Sequence, residues 1–308
     1  MPNAAARLND RYSLARELEF REAAGGLLFA EAHNDLATAT VCLQGAQLTA
    51  WQPRSQSVAV IWTSAVAQYA MGKSIRGGIP VCWPWFGPHA TDSRLPSHGF
   101  VRTLAWEVCG SRRLESGETQ LSLAMSSGER TLVYWPYQFH LELQLTIGES
   151  LRVELITSNT GATDFVLGEA LHTYFQVGDI ESVRVLGLDA DEFIDKAKAG
   201  QRSRQAGAVR FHEELDRIYV NSESDCAIED PILQRCIHIA KFGSRSTVVW
   251  SPWAQKAQKL GDLGPGARNQ GGWREMVCVE SGNAVENVVT LAPGATHRLA
   301  ALYRVEPI

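Results

Sequence analysis

The chain has 308 residues, of which 45% are hydrophobic and 20% charged, and its formal net charge at pH 7 is -5. This composition is typical of a folded globular protein with a substantial core, and it excludes a disordered chain. The acidic balance argues against a general nucleic-acid binder, which usually carries a basic surplus. A few arginines can still form a local positive pocket for a small anionic substrate.

Localisation is predicted from three features of the sequence. No segment approaches the roughly 20 uninterrupted apolar residues that a membrane helix requires. Residues 1–19 mix charged and small side chains and lack the apolar block of a secretory signal. The six cysteines are widely scattered without a C-x-x-C pair, so neither a zinc site nor a redox motif is indicated. We expect a cytoplasmic protein with mostly buried thiols and no membrane or nucleic-acid partner.

The predicted elements, in chain order, are mainly short strands. A polar helix is predicted over residues 5–18 and a second one over 252–259, where proline takes an early position. Apolar and polar residues alternate over 139–147 and again over 151–155, which predicts a hairpin around the turn at 148–150. Further strands are predicted at 37–43, 121–124, 183–188, 247–250, 276–279 and 299–305, separated by turn-forming clusters.

Many short strands with little helix predict an all-β fold: a large antiparallel sandwich or barrel with few short helices. We find no internal repeat, low-complexity segment or linker in the sequence. We therefore expect residues 1–20 to form an N-terminal appendage and residues 21–308 to form a single β-sandwich domain.

Two glycine-containing segments carry arginines in unusual settings. Residues 72–88 (GKSIRGGIPVCWPWFGP) surround Arg76 with glycines, prolines and aromatic side chains. Gly77 and Gly78 would let the backbone approach a ligand, and the forked guanidinium donors of Arg76 suit an oxyanion. A tight turn between strands is the simpler explanation of the same residues. Residues 95–102 (LPSHGFVR) place His98 and Arg102 on either side of a glycine, which alone is typical of a structural histidine.

Two further segments carry candidate acid–base groups. His172 lies in the apolar and aromatic setting of residues 167–177 (LGEALHTYFQV), where a hydrogen-bonded core histidine is the common outcome. Glu280 follows the apolar run 276–279. A carboxylate buried there has a raised pKa, whereas one at an exposed strand end does not.

In their order along the chain, these motifs resemble the aldose 1-epimerase superfamily, and most closely its hexose-6-phosphate mutarotase branch. The motifs are SIRGGIP, LPSHGFVR, LHTYF and VCVESGN, together with LDRIY at 215–219 and WSPW at 250–253. The resemblance covers roughly residues 28–305. It implies a galactose-mutarotase-like β-sandwich with the sugar cleft on one concave sheet.

The resemblance also implies roles for individual residues. The catalytic acid is His172 within LHTYF, and the catalytic base is Glu280 within CVES. The implied substrate-binding residues are Arg76, Ser97, His98, Arg102 and Asp216. Close relatives often carry glutamine where this chain has Ser97, and the shorter side chain weakens or reroutes one substrate contact.

Three tryptophans have two open interpretations. Trp83, Trp85 and Trp253 can stack on a sugar face, or they can pack in the core.

The chemistry of anomer exchange explains why such residues are needed. Opening a pyranose ring removes a proton from the C1 hydroxyl and delivers one to the ring oxygen, so one base and one acid suffice. We expect the two groups to face each other across a cleft about one sugar ring wide. No cofactor and no metal are expected. The expected partner is a small hexose phosphate, and the protein is expected to be a monomer.

Three functions are compatible with the sequence. The favoured one is a mutarotase for a hexose 6-phosphate, with glucose 6-phosphate as the expected substrate, because Arg76 and Arg102 together suit a phosphate. The second is an aldose 1-epimerase for free galactose or glucose, which Ser97 keeps open. The third is a non-catalytic carbohydrate-binding protein on the same fold, against which the presence of both His172 and Glu280 counts.

Overall fold

The computed structural model describes residues 3–23 and 25–308. The α-helices are Ala4–Tyr12 (α1), Glu129–Leu132 (α2) and Trp253–Leu260 (α3). The first eleven strands are Leu18–Glu22 (β1), Leu28–His33 (β2), Ala37–Cys42 (β3), Gln47–Pro53 (β4), Val81–Cys82 (β5), Glu107–Arg113 (β6), Thr119–Ser126 (β7), Phe139–Ile147 (β8), Leu151–Asn159 (β9), Phe165–Leu167 (β10) and Glu169–Leu171 (β11).

The later strands are Tyr174–Gln176 (β12), Arg184–Leu186 (β13), Glu192–Asp195 (β14), Gln201–Arg204 (β15), Leu215–Val220 (β16), Cys226–Asp230 (β17), Arg235–Phe242 (β18), Ser246–Ser251 (β19), Met276–Asn283 (β20), Val289–Leu291 (β21) and Thr296–Pro307 (β22). Short 3-10 helices cover Val101–Thr103, Lys196–Lys198, Gly272–Glu275 and Val285–Asn287.

These strands form two large sheets and two smaller ones. One large sheet has the order β15-β14-β16-β19-β20-β11-β5, with β12 also paired to β20. The other has the order β13-β17-β18-β22-β9-β8-β7-β6. The strand pairs within them are antiparallel, as in the predicted hairpin of β8 and β9. The predicted antiparallel all-β fold with few short helices is confirmed.

The core lies between the two large sheets. In β8, buried and partly exposed residues alternate along the whole strand, so one face packs inward. Contacts between the sheets are both polar and aromatic: the hydroxyls of Thr173 and Tyr303 are 2.7 Å apart, and the Phe175 and Tyr303 rings meet edge to face. Every residue of β20 is buried, because the core covers one face of this strand and the site described below covers the other.

The N-terminal segment differs from its prediction. The helix predicted over 5–18 ends at Tyr12, and Leu18 already begins β1. The reason is a change of period: Leu18 and Phe20 are both buried with an exposed residue between them, which is the alternation of a strand. Phe20 is also tied to α1, since its backbone N–H donates to the Asn9 side chain at 2.7 Å.

The division into an appendage and a catalytic domain stays a prediction. Its boundary at residue 20 falls inside β1, which pairs with β2 and buries Leu18 and Phe20 in the main core. Among the described residues, no helix is long and apolar enough to cross a membrane.

Candidate active site

A cavity of about 390 Å³ opens over the sheet that contains β20. It is lined by all of the residues to which the sequence assigned a catalytic or binding role: Arg76, Ser97, His98, Arg102, His172, Asp216 and Glu280. These residues come from five separated segments of the chain, so the fold alone brings them together.

Strand register places His172 next to Glu280. Leu171 of β11 lies opposite Ser281 of β20, and Tyr174 of β12 lies opposite Cys278. The same register on both sides sets His172 opposite Glu280. The His172 backbone N–H donates to the carbonyl of Pro80 at 3.0 Å, which anchors this short interruption between the two strands.

The two side chains are in contact. His172 Nε2 lies 3.4 Å from Glu280 Oε1, with Glu280 1% exposed and His172 13% exposed. The expectation that they face each other across the width of a sugar ring is therefore wrong. The chemistry explains the closer arrangement, because the C1 hydroxyl oxygen and the ring oxygen are both bonded to C1. An acid and a base that serve these two oxygens work side by side.

Burial controls the protonation of this pair. It raises the pKa of Glu280 well above the ordinary value of 4.5, with the charge of Asp216 adding to the effect. It lowers the pKa of His172 well below 6.5, and the neighbouring His98, Arg102 and Arg76 lower it further. Both shifts favour uncharged groups, which are a protonated carboxyl and a neutral imidazole. The pair thus holds one transferable proton, on the carboxyl, and one free lone pair, on the imidazole.

His98 lies beside this pair as a neutral histidine. Its ring centre is 5.7 Å from that of His172 and 4.8 Å from that of Phe86. Burial, followed by Arg102, Lys196 and Arg76, lowers the His98 pKa to about 3. The Gly87 backbone N–H donates to His98 Nδ1 at 3.3 Å, so the proton resides on Nε2. His98 is therefore a hydrogen-bond donor in the cavity and carries no charge at neutral pH.

Arg76 is held in place from two sides. Its Nε donates to Asp262 Oδ2 at 2.9 Å, and its Nη1 donates to the Tyr174 hydroxyl at 2.9 Å. The Tyr174 ring stacks on the His172 imidazole with centroids 4.9 Å apart and an interplanar angle of 9°. Tyr174 thus connects the predicted phosphate ligand Arg76 to the predicted acid His172.

Arg102 and Lys196 supply charge without a carboxylate partner. Arg102 Nη2 donates to the backbone carbonyl of the exposed Ser97 at 2.7 Å. Within residues 3–23 and 25–308, neither Arg102 nor Lys196 forms an ion pair with a carboxylate. Asp216 also lines the cavity, with Oδ2 4.0 Å from Lys256 Nζ. Burial raises the pKa of Asp216, and Lys196 and Lys256 oppose that rise.

The sequence missed several residues that line the cavity. These are chiefly Tyr174, Lys196, Trp250, Lys256 and Asp262. Tyr174 lies within the LHTYF motif, so its position two residues after His172 was a usable signal. Lys196 and Asp262 lie in a 3-10 helix and in a glycine-rich loop, where nothing in the local pattern marks them.

The three tryptophans proposed for sugar stacking are not among the lining residues. Trp83 is fully buried and packs on Phe139 with ring centroids 4.5 Å apart. Trp85 donates to the Pro96 carbonyl at 2.9 Å, and Trp253 packs on Trp273. The core interpretation is correct, because these rings fill space between elements.

Gly77 and Gly78 approach protein backbone and not a ligand. Both have positive φ, +103° and +71°. A Cβ on Gly78 would come within 2.3 Å of the Leu48 carbonyl oxygen, and one on Gly77 within 2.4 Å of the Thr63 Cα. The glycines therefore let the Arg76 segment pack against neighbouring chain, which fixes the Arg76 backbone at the cavity wall.

One group of side chains in the cavity has the composition of a metal site. His172, Cys278 and Glu280 each offer a ligand atom, and these atoms lie within 4.8 Å of one another. The sequence did not indicate it, because His172 is more than a hundred residues away from the other two.

Comparison with known proteins shows the family of the chain. The family described as aldose 1-epimerase matches residues 30–304. A candidate glucose-6-phosphate 1-epimerase of Salmonella typhimurium is 35% identical over 244 residues, which cover 79% of each chain. One of Escherichia coli K12 is also 35% identical, over 249 residues and 80% of each chain.

Solved structures share the fold. The candidate mutarotase YeaD of Salmonella typhimurium superposes with a TM-score of 0.88 at 32% identity, covering 96% of each chain. A galactose mutarotase-like protein of Lactobacillus casei superposes with a TM-score of 0.70 at 16% identity, covering 90% of this chain and all of the other. The second similarity concerns the fold alone.

Proposed function

The chain belongs to the aldose 1-epimerase family and is an isomerase of the mutarotase type, and we propose that it interconverts the α and β anomers of a hexose 6-phosphate, with glucose 6-phosphate as the expected substrate. The observation that carries this proposal is the contact of His172 with Glu280 in a cavity that also holds two unpaired cations, Arg102 and Lys196.

The acid–base pair provides what ring opening requires. One member accepts the proton of the C1 hydroxyl while the other donates a proton to the ring oxygen, and closure on the other face reverses both transfers. The pair begins and ends with one proton, so no net proton is consumed. We propose that Glu280 acts as the base and His172 as the acid, as the family resemblance implies.

Substrate charge supports this assignment. In the empty cleft, burial places the shared proton on Glu280. The cations Arg102 and Arg76 contribute to the low pKa of His172. A phosphate with a charge of about -1.5 to -2 offsets these cations when it binds, and the pKa of His172 then rises. The substrate itself thus shifts the proton toward the residue that must donate it.

The phosphate site is formed by cations from three segments. Arg76, Arg102 and Lys196 all line the cavity, and their charges lower the pKa of His98. Guanidinium groups match phosphate oxygens with paired, charge-assisted hydrogen bonds. A phosphate held there fixes the sugar relative to the acid–base pair, which is the positioning part of catalysis. Asp216, Ser97 and His98 are proposed to bind sugar hydroxyls.

One observation favours the alternative substrate, a free hexose. Arg76 already pairs with Asp262, so one of the two arginines proposed for phosphate is partly neutralised. An aldose 1-epimerase acting on galactose or glucose needs no phosphate site. The unpaired charges of Arg102 and Lys196 favour the phosphosugar, because unpaired cations in a cleft attract an anion.

The decisive experiment is NMR exchange spectroscopy of anomers with glucose 6-phosphate, glucose and galactose compared at equal concentration. We expect kcat/KM to be highest for glucose 6-phosphate. Faster exchange of free galactose would support the alternative. Saturable binding of sugars without any exchange would support the third hypothesis, a carbohydrate-binding protein.

The cellular setting is part of the proposal. All six cysteines are free, and five of them are buried, which suits a reducing compartment such as the cytoplasm. One chain supplies every residue of the cavity, so we propose that the monomer is the active unit. Sedimentation equilibrium together with activity at high dilution tests this proposal, since loss of activity on dissociation would contradict it.

A further inference from the structure

We propose that His172, Cys278 and Glu280 form an inhibitory binding site for a soft divalent cation, with Zn²⁺ as the expected ion. Their three ligand atoms lie within 4.8 Å of one another, and His172 and Glu280 line the cavity. The Cys278 thiol has no part in the proton transfers proposed above. The inference concerns metal binding and does not depend on which sugar the enzyme uses.

The three side chains share one face of the sheet. Cys278 and Glu280 are two residues apart on β20 and therefore point to the same side. Cys278 lies in register between Tyr174 of β12 and Trp250 of β19, whose ring centres are 6.0 Å apart. The thiol is thus fully buried next to the acid–base pair, and two aromatic residues flank it.

Two atoms of the group lack hydrogen-bond partners. Among the described residues, these are Nδ1 of His172 and Oε2 of Glu280, both buried. A buried polar atom without a partner costs free energy, and a cation bound to the Glu280 carboxylate recovers that cost at Oε2. Thiolate, imidazole and carboxylate together are a donor set that Zn²⁺ prefers over harder cations.

The distances suit a tetrahedral ion after small side-chain rotations. Bonds of about 2.0 to 2.3 Å to Zn²⁺ set neighbouring ligand atoms about 3.4 to 3.8 Å apart. His172 Nε2 and Glu280 Oε1 already lie at 3.4 Å. The remaining ligand atom must move inward by about 1 Å at most, and the fourth position faces the cavity and takes water.

Binding of the cation stops catalysis. The metal takes up the lone pairs that accept and hold the transferred proton. It displaces two protons to solvent, one from the Cys278 thiol and one shared by His172 and Glu280. Inhibition by Zn²⁺ is therefore expected to be competitive with the sugar.

The test uses Co²⁺ and Zn²⁺ with the intact enzyme. A Co²⁺–thiolate bond gives a charge-transfer absorption in the near ultraviolet, which reports coordination without an activity measurement. We compare wild type with Cys278→Ala and with Cys42→Ala, a control that removes another fully buried thiol, from β3. Wild type and Cys42→Ala should show the absorption, and Cys278→Ala should lose it.

The inhibition constant of Zn²⁺ provides the second measurement. Loss of one ligand should weaken inhibition at least ~10-fold in Cys278→Ala, while its basal anomer exchange remains. The same absorption in Cys278→Ala, or none in wild type at millimolar Co²⁺, would overturn the proposal. If Cys278→Ala does not fold, Glu280→Gln keeps the thiol and should weaken Zn²⁺ binding by the same order in calorimetry. Unchanged Zn²⁺ affinity there would also overturn it.

Discussion

His172 Nε2 lies 3.4 Å from Glu280 Oε1, and strand register places the two residues opposite each other. In the proposed mechanism, an acid and a base this close can exchange the proton between themselves, so the enzyme returns to its starting state after either direction of ring opening.

The first prediction is that each member of this pair is needed for anomer exchange. His172→Ala and Glu280→Gln should each lower kcat for glucose 6-phosphate by about 10² to 10⁴, the usual contribution of general acid–base catalysis. Both variants should keep the fold. Exchange spectroscopy measures the rate, and circular dichroism checks the structure.

A second histidine–glutamate pair provides a matched control. His238 Nε2 lies 3.3 Å from Glu306 Oε2 on the exposed side of β18 and β22. His238→Ala and Glu306→Gln should leave the rate unchanged. Wild-type exchange in Glu280→Gln would remove Glu280 from the mechanism, and a loss of rate in His238→Ala would point to a general effect on stability.

The second prediction concerns the pH dependence of kcat. With ordinary pKa values of 4.5 and 6.5, the pair would hold one proton only between those values. Burial raises the pKa of Glu280 and lowers the pKa of His172, so the shared proton moves from the imidazole to the carboxyl and neither limb stays at its ordinary value. Below the lower limb the pair has two transferable protons and no base, and above the upper limb it has none and no acid. We expect no limb of the kcat profile at pH 6.5, the ordinary pKa of His172.

The phosphate group of the substrate also titrates near pH 6, so free glucose serves as the reference for this profile. A fall in the rate for free glucose centred at 6.5 would show that His172 titrates as an unperturbed imidazole. In the complex with glucose 6-phosphate, the pKa of His172 should be higher than in the free enzyme. NMR titration of the imidazole with inorganic phosphate checks this shift, which Arg102→Ala should reduce.

The third prediction is that removal of metals does not lower activity. Proton transfer by His172 and Glu280 accounts for the reaction, so dialysis against a chelator should leave kcat at the starting value or raise it. A loss that Mg²⁺ or Zn²⁺ restores would show that the acid–base assignment is incomplete. Measurement of residual metal by elemental analysis makes the comparison quantitative.

Sequence alone predicted much of the fold because local alternation is strong. In β8 the period of two is unbroken, and in β9 Leu151, Val153 and Leu155 keep it over the predicted residues 151–155, although the strand continues to Asn159. The N-terminal helix was predicted too long, because the burial of Leu18 and Phe20 depends on pairing with β2. The seven predicted site residues line one cavity, yet only the motif series connected them, since no local pattern reveals that distant segments meet.

The geometry of the site was less predictable. The contact of His172 with Glu280 follows from a register that spans more than a hundred residues of sequence. Asp262 approaches Arg76 from a loop that has no periodic pattern, so their ion pair had no signal in the sequence. Cys278 was visible in the VCVES motif, but its proximity to His172 results from the fold.

The last prediction separates the two candidate substrates. Arg76→Ala should lower kcat/KM for glucose 6-phosphate by about tenfold to a hundredfold or more, because a charge-assisted contact is worth about 1.5 to 3 kcal/mol. It should change kcat/KM for free glucose little. Arg274→Ala is the matched control: its side chain is 24% exposed, against 26% for Arg76, and it pairs with Asp179 and Glu181.

Arg102→Ala extends this comparison. Among the described residues no carboxylate forms an ion pair with Arg102, so this substitution leaves no carboxylate unpaired. Both cavity variants should discriminate between the two sugars, and Arg274→Ala should treat them alike. Equal losses for both sugars in Arg76→Ala would show that this residue supports Tyr174, to whose hydroxyl it donates a 2.9 Å hydrogen bond. Through Tyr174 it would also support the stacked ring of His172. Equal losses in both cavity variants, with free galactose the faster wild-type substrate, would establish the free hexose as substrate.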